Sequence, residues 1–104
     1  MPGPRRALIW SPEAEQDLFD IASYLTAEAS ARTADEYLRK IFRAGERIRG
    51  RPLSGRARGG LMPGIRSVVL VHPYAMFYRV EGTSVEVVRV LHQRRDLDAV
   101  FAEE

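Results

Sequence analysis

The side chains with the greatest capacity for chemistry lie in the second half of the chain, at Arg66, Arg79, Arg89 and His92. Cleavage of an RNA backbone needs a general base, a general acid and cations held close together. Arginine supplies cations but not protons, because its pKa stays above about 12. Near the C-terminus, only His92 titrates close to neutral pH. The set offers charge for phosphate binding without a convincing acid–base pair, so we predict no catalytic residues.

Other catalytic or metal-binding arrangements have less support. In a regular strand the side chains of His92 and Arg89 point to opposite faces, so they could share a site only if the strand ends before His92. An alternative role for His92 is a cap at the strand end. His72 lies 20 residues before His92, and no carboxylate spacing suggests a metal site there. The central glycines do not precede a helix as in a phosphate loop. The lack of cysteine excludes thiolate ligands. We expect neither a metal nor a cofactor.

The composition is that of a globular protein. The 104 residues are 45% hydrophobic and 29% charged, and we expect one domain over residues 1–104. No apolar run reaches the roughly 18–20 residues of a membrane span. The start, Met-Pro-Gly-Pro-Arg-Arg, lacks the apolar core of a signal peptide. We therefore expect a cytoplasmic protein that does not contact a membrane.

Charge is distributed unevenly along the chain. Residues 13–36 carry seven acids and one base, whereas residues 39–66 carry nine bases and one acid. A basic block beside an acidic block indicates a polar partner or an anionic surface, although a solvated helix face has the same pattern. Phosphate contact through the basic block would make the chain a nucleic-acid-binding module. That alternative lacks a base-reading motif and a platform of stacking aromatic side chains.

Local patterns predict the elements of the first half. They are a strand at 5–10, helices at about 12–28 and 33–50, and a loop at 50–64. Ser11 and Pro12 mark the first helix start, since serine is a good N-cap and proline is tolerated at the first helical position. Apolar residues recur every three or four positions in both helices, and the short link between them predicts an antiparallel hairpin.

Three strands and a short helical turn are expected in the rest of the chain. The strands are expected at 65–71, 74–80 and 85–91, and the turn within 96–104. Their short links predict an antiparallel meander. The resulting β-α-α-β-β-β order gives a two-layer α+β domain, because the helical hairpin has to bury its apolar stripe against one face of the sheet.

Side-chain alternation separates the two faces of this sheet. The face assigned to the helices holds Val69, Val71, Tyr74, Met76, Tyr78, Val80, Val88 and Val90. The opposite face holds Arg66, Val68, Leu70, Ala75, Phe77, Arg79, Val85, Val87, Arg89 and Leu91. Apolar patches of this kind are seldom left bare, so we expect a second polypeptide to cover this opposite face. Coverage by the chain's own tail, with Leu97, Val100 and Phe101, is the alternative.

Five segments together resemble the ParE/RelE toxin superfamily. They are Ser11-Pro12-Glu13-Ala14 with Asp17, Leu18 and Ile21; Pro52-Leu53-Ser54-Gly55-Arg56; Pro63-Gly64-Ile65-Arg66; Phe77-Tyr78-Arg79-Val80; and Val87 to Asp96, with its His-x-x-Arg-Asp ending. These matches follow the family's order and span nearly the whole chain. The family's fold has the same β-α-α-β-β-β arrangement.

The resemblance implies a toxin of a type II toxin–antitoxin system. ParE-like members inhibit DNA gyrase and arrest growth, whereas RelE-like members cut mRNA on the ribosome. The missing acid–base pair favours the ParE branch, and the mRNA endonuclease remains the alternative. Members of both branches are neutralised by an antitoxin that wraps the toxin and binds operator DNA. We therefore expect this chain to meet operator DNA only through its antitoxin.

Two sets of residues follow from this implied function. The antitoxin contacts are predicted at Arg66, Val68, Leu70, Phe77, Arg79, Val87 and Arg89. The arginines of this set would pair with acidic antitoxin side chains and set specificity and association rate. The helical hairpin is a second docking zone. The toxic contact with gyrase is predicted at His92, Arg94 and Arg95.

Overall fold

The computed structural model describes residues 6–102 and contains a five-stranded sheet with three helices. In chain order the elements are β1 (Ala7–Trp10), α1 (Pro12–Glu28), α2 (Ala31–Gly50), β2 (Arg56–Ala57), β3 (Arg66–Val69), β4 (Tyr74–Glu81), β5 (Ser84–His92) and α3 (Leu97–Ala102). The predicted α+β class and element order are confirmed, with β2 as an addition. Within the described residues, no helix is long and apolar enough to cross a membrane.

Helix α1 begins and ends where the local signals place it. The Ser11 hydroxyl accepts a hydrogen bond from the Ala14 N–H at 3.0 Å and donates one to the Val88 carbonyl at 2.7 Å. The N-cap residue therefore ties the helix to β5 as well as satisfying one of its free N–H groups. Pro12 occupies the first turn, where its missing N–H costs nothing.

Helix α2 begins two residues before the predicted position, because Ser30 is its N-cap. The Ser30 side chain accepts a hydrogen bond from the Thr33 N–H. Only Ala29 and Ser30 separate the two helices, which pack against each other as a hairpin. Gly45 lies where α2 crosses β1, and a Cβ there would stand 3.1 Å from the Trp10 ring. The glycine allows this close approach of helix and strand.

The strand order in the sheet is β1-β5-β4-β3-β2. The strands β3, β4 and β5 form the predicted antiparallel meander. β1 pairs parallel with β5, and β2 pairs antiparallel with β3 inside the segment that was predicted to be loop. Both pairings join segments that are distant in sequence or very short, so the local pattern gave no signal for them.

Two separate hydrophobic clusters lie on the two sides of the sheet. The helix-side core holds Ala14, Ile21, Ile41, Ile48, Tyr74, Met76, Tyr78, Val85, Val87 and Val90. The tail-side core holds Ile65, Ala75, Phe77, Val88, Leu91, Val100 and Phe101. The first is covered by α1 and α2, and the second by α3 together with the loop residues Leu61 and Met62. Glu103 and Glu104, the end of the predicted helical tail, lie outside the described residues.

Candidate functional site

The face that was expected to be open is covered in part by the chain's own tail. Phe101 and Val100 of α3 are 4% and 7% exposed and pack against the tail-side core. The Phe101 ring meets the Phe77 ring edge-on, with centroids 5.2 Å apart. The alternative of coverage by the tail therefore describes the centre of this face, and coverage of the rest by a second polypeptide stays a prediction.

Three of the seven residues predicted for antitoxin contact turn towards the helices instead. Val68 and Leu70 pack against the helix-side core, and Val87 lies within it with 0% exposure. In β3 both parities are apolar, so alternation could not decide which side faces the helices. Val69, assigned to the helices, is instead 56% exposed.

The regular alternation of β5 side chains between the two faces of the sheet is interrupted where its pairing with β4 is irregular. Phe77 pairs with Arg89, whereas the next residue, Tyr78, pairs with Val87, so one residue of β5 is extra. This is the geometry of a β-bulge, which shifts side chains between faces. Val85 and Val87 consequently lie in the helix-side core and Val88 in the tail-side core, the reverse of their predicted sides.

Each arginine predicted for antitoxin contact interacts with its own chain. The Arg66 guanidinium donates to the Gly55 carbonyl at 2.8 Å and the Leu53 carbonyl at 3.3 Å. Arg79 forms ion pairs with Glu86 and Glu81. These side chains hold a loop and a strand pair in place, so they are not a row of cations displayed on one face. Their part in antitoxin binding stays a prediction.

Arg89 forms the most buried ion pair among residues 6–102, with Asp17 of α1. Its Nε and Nη2 donate to the two carboxylate oxygens at 2.8 and 2.9 Å. The Val90 N–H donates to the same carboxylate at 2.9 Å. The side chains of Arg89 and Asp17 are 14% and 8% exposed. The pair locks α1 onto β5, which gives the aspartate of the first-helix motif a structural role.

The loop that leads into β2 is held by Tyr78, a contact that sequence reasoning did not find. The Tyr78 hydroxyl donates to the Pro52 carbonyl at 2.7 Å and accepts from the Gly55 N–H at 2.9 Å. A Cβ on Gly55 would clash with the phenol oxygen, so this position requires glycine. Burial raises the pKa of Tyr78, while the Gly55 N–H and the Arg66 guanidinium offset part of the rise. The phenol therefore stays neutral and can donate its proton.

A groove lies beside this loop, close to the start of α3. It has a volume of about 450 Å³ and is bordered by Ser54, Gly55, Arg56, Arg58, Ser67, Val68, Val69, Ala75, Phe77, Gln93 and Leu97. We call it the arginine groove. Arg56 is exposed, and the Arg58 guanidinium lies 5.8 Å from the centre of the Phe77 ring. The sequence placed both arginines in a loop of the basic block, and Arg56 in the Pro-x-x-Gly-Arg segment, but it did not predict β2 or the groove beside it.

The arginine groove follows a partly free edge of the sheet. β2 pairs with Arg66 and Ser67 only. Within the described part of the chain, Val68 and Val69 therefore have a neighbouring strand on the β4 side alone. A free strand edge with an apolar side chain beside it is a template for an added strand. The groove combines such an edge with two cations and an apolar floor.

The residues predicted for the target contact lie at the end of β5, where His92 is the last residue of the strand, and in the turn that follows it. The His92 Nδ1 accepts a hydrogen bond from the Arg94 N–H at 3.1 Å, and its ring meets the Tyr74 ring edge-on. This geometry supports the alternative of a cap at the strand end. Arg94 and Arg95 are exposed, and Arg95 borders a cleft shared with Asp17 and other acids of α1. The structure thus presents two cations on a turn that His92 shapes.

A pocket lined by tyrosine rings adjoins this turn. It has a volume of about 390 Å³ and is bordered by Tyr24, Leu25, Tyr37, Pro73, Tyr74 and His92. Burial, followed by the neighbouring Tyr24 and Tyr37, raises the pKa of Tyr74 above its usual value of 10.0. Tyr24 is 60% exposed, so the pocket opens to solvent beside Arg94 and Arg95.

The arginine groove and the turn after β5 differ in the side chains that accompany their cations. The arginine groove is bordered by arginine, serine, glutamine and apolar side chains. No group of three or more potential metal ligands occurs within residues 6–102. Among the described residues, no histidine, lysine, tyrosine or carboxylate borders the arginine groove, whereas Arg94 and Arg95 lie beside His92 and the tyrosine pocket.

Comparisons with known proteins agree on one family. The family model described as the ParE toxin of the type II toxin–antitoxin system parDE matches residues 8–97. The chain is 37% identical over 89 residues to Toxin ParE1 from two strains of Mycobacterium tuberculosis, CDC 1551 / Oshkosh and ATCC 25618 / H37Rv. That alignment covers 85% of this chain and 90% of each relative.

Solved structures share the fold. A chain of the chromosomal ParDE TA system from P. aeruginosa superposes with a TM-score of 0.75 at 21% identity, over 85% of this chain and 96% of that one. A chain of the toxin–antitoxin complex RelBE2 from Mycobacterium tuberculosis gives a TM-score of 0.60 at 20% identity, over 86% and 99% of the two chains. These likenesses concern the arrangement of elements alone.

Proposed function

Since this chain belongs to the ParE toxin family of type II toxin–antitoxin systems, we propose that it inhibits DNA gyrase by direct binding and is neutralised by a cognate antitoxin. The observation that carries the proposal is the match to the ParE toxin family over residues 8–97, and the composition of the arginine groove agrees with a non-enzymatic mechanism. Among the described residues that line this groove, no histidine, lysine, tyrosine or carboxylate accompanies Arg56 and Arg58. Cleavage of RNA needs such a group to move a proton. The proposal places the chain in the cytoplasm, where gyrase acts.

The toxic contact is assigned to the turn after β5. Arg94 and Arg95 are exposed there, and the hydrogen bond from the Arg94 N–H to His92 orders the turn before any target arrives. A preorganised surface loses less conformational entropy on binding than a disordered one. The tyrosine pocket next to the turn adds apolar area to the two charges, a combination that is typical of protein-binding surfaces.

The antitoxin is assigned to the arginine groove. An extended segment can pair with the free edge of β3 at Val69 and place alternate side chains over Phe77. Acidic residues of that segment would meet Arg56 and Arg58. Val68 and Phe77, both predicted for antitoxin contact, border this groove. The proposal thus moves the predicted surface from the centre of the sheet to its edge.

A paired assay tests the choice of target. Purified toxin is incubated with gyrase and supercoiled plasmid, and separately with a translating extract and labelled mRNA. Inhibition of gyrase or accumulation of cleaved plasmid at stoichiometric toxin, with intact mRNA, is the expected result. Intact gyrase activity together with cut mRNA would replace this proposal by the ribosome-dependent endonuclease.

Neutralisation is tested separately with charge-reversed toxins. Arg56→Glu/Arg58→Glu is expected to arrest growth even when the cognate antitoxin is co-expressed, because its acidic segment is repelled. Arg32→Glu/Arg49→Glu changes the same charge on α2 and is the control that should still be neutralised. Equal neutralisation of both variants would remove the arginine groove from the antitoxin interface.

A further inference from the structure

Helix α2 carries a regular row of arginines on its solvent side. Arg39, Arg43, Arg47 and Arg51 recur at every fourth position, the last being the residue that caps the helix. All four are exposed. With a rise of about 1.5 Å per residue, successive members stand about 6 Å apart along the helix axis, and the row is about 18 Å long. We call these four residues the arginine row.

Within residues 6–102, the members of the row have no carboxylate partner. The two acids of α2 that form ion pairs do so with arginines outside the row, Glu36 with Arg32 and Glu46 with Arg49. No carboxylate of residues 6–102 forms an ion pair with a member of the row. Lys40 adds a further exposed cation beside it. The surface is therefore a line of positive charge.

This arrangement works against the stability of the helix. Like charges four positions apart repel each other and destabilise a helix. Solubility alone needs no such row, since mixed charges serve it equally well. Arginine also differs from lysine in binding phosphate oxygens with two parallel N–H groups. The regular spacing and the residue type both favour a partner with repeating phosphates.

We propose that the arginine row of α2 binds the phosphate backbone of duplex DNA without reading its sequence. A protein interface has an apolar core, whereas the members and neighbours of this row are charged. The exposed apolar residue of α2, Phe42, packs edge-on against Trp10. At about 3.6 residues per turn the row winds about 40° around the helix at each step. Such a rigid, winding row of cations suits the regular backbone of a duplex better than a flexible single strand.

This contact goes beyond the inhibition of gyrase and beyond DNA contact through an antitoxin. It gives the chain a DNA contact of its own, on the opposite side of the hairpin from the sheet. Contacts to phosphate hold a protein on the duplex and steer its approach but carry no sequence information. The row does not depend on the turn after β5 or on the arginine groove, so its test is independent of the proposed function.

The test is a salt titration of binding to a fluorescent 24-base-pair duplex, followed by anisotropy. Four phosphate contacts predict a log–log slope of about −3.6, which is an affinity loss of about 150-fold between 50 and 200 mM salt. Arg43→Gln/Arg47→Gln removes two contacts and should lower that loss to about 12-fold. Glutamine is a good helix former, so α2 is expected to stay folded, and circular dichroism of each variant checks this.

The matched control is Arg32→Gln/Arg49→Gln. It removes the same charge from the same helix but leaves the row intact. Its log–log slope is therefore expected to equal that of the original chain. An equal fall in the log–log slope for both double variants would show an effect of net charge alone. It would overturn the proposal that the row contacts the phosphates. Absence of duplex binding at 50 mM salt would also overturn it. Equal competition by single-stranded DNA or by a polyglutamate peptide would assign the row to another polyanion.

Discussion

The two sides of the central sheet are covered by very different lengths of chain. The helix side is covered by helices of 17 and 20 residues, whereas the tail side is covered by the six residues of α3 and a few loop side chains. The helix side also holds the Asp17–Arg89 ion pair. The arginine groove borders the lightly covered side, whereas the turn after β5 lies beside a pocket bordered by α1, α2 and β4. The heavily covered side thus supplies most of the core, and the proposed antitoxin surface lies on the other side.

The largest loss of stability is expected when a side chain of the helix-side core is cut back. Met76 of β4 has 0% exposure and belongs to that core. Met76→Ala should lower the free energy of unfolding by about 2–5 kcal/mol, the range for creating a cavity in a packed core. Urea denaturation followed by circular dichroism measures it. A loss below about 1 kcal/mol would mean that this side of the sheet is not the main core.

The ion pair that locks α1 to β5 is the next strongest test. Asp17→Asn removes the buried carboxylate that accepts hydrogen bonds from the Arg89 guanidinium and the Val90 N–H, and a loss of about 3 kcal/mol is expected. Asp20→Asn is the control on the same helix, since Asp20 is exposed and accepts a hydrogen bond from Gln16. Equal losses for the two variants would contradict the locking role of Asp17.

Removing the Tyr78 hydroxyl tests how the loop is held. Tyr78→Phe leaves the Pro52 carbonyl and the Gly55 N–H without their partner, and a loss of about 1–3 kcal/mol is expected. The pKa of the phenol is raised in the folded chain, so the unfolded chain loses this proton first as pH rises past 10. The stability that Tyr78 contributes is full below that pH and declines above it.

The pH dependence provides a second readout for the same variant. Denaturant titrations at pH 8 and above pH 10 should show a smaller decline for Tyr78→Phe than for the original chain. Tyr74, whose pKa is also raised, stays in both proteins. An unchanged decline would show that the Tyr78 phenol is not buried in the folded state.

A smaller effect is expected on the tail side. Phe101→Ala removes the ring that covers Phe77, and a loss of about 1–2 kcal/mol is expected. That loss is below the usual 3–5 kcal/mol for a buried phenylalanine, because a six-residue helix can detach locally without global unfolding. Hydrogen exchange measures this directly: lower protection of the α3 amides than of the α1 amides would support local detachment of α3. If Phe101→Ala lowered the free energy of unfolding as much as Met76→Ala does, the tail side would contribute as much stability as the helix side, contrary to this account.

Sequence reasoning recovered the parts of the fold that depend on neighbouring residues. The limits of α1 follow from Ser11 and Pro12, and the meander follows from short links between apolar strands. The side of the sheet to which a strand turns was harder to predict. β3 has apolar side chains on both faces. In β5 a bulge, which its sequence does not mark, changes the face to which the side chains point. The faces predicted for Val69, Val87 and Val88 were wrong for this reason.

The proposed binding surfaces were predicted in part. Arg94 and Arg95 were found because they end a motif, and the structure leaves them exposed. Arg56 and Arg58 were missed as a binding pair, since the edge beside them exists only after β2 pairs with β3. The contact of Tyr78 with Gly55 joins residues 23 positions apart. Such long-range contacts need the folded chain.

The most direct test of the account is gyrase inhibition by toxins altered on one exposed surface at a time. Arg94→Ala/Arg95→Ala is expected to keep the stability of the original chain and to lose gyrase inhibition and growth arrest. Arg32→Gln/Arg49→Gln, the control with the same charge change on α2, is expected to inhibit as the original chain does. Full inhibition by a folded Arg94→Ala/Arg95→Ala protein would contradict the assignment of the toxic contact to the turn after β5.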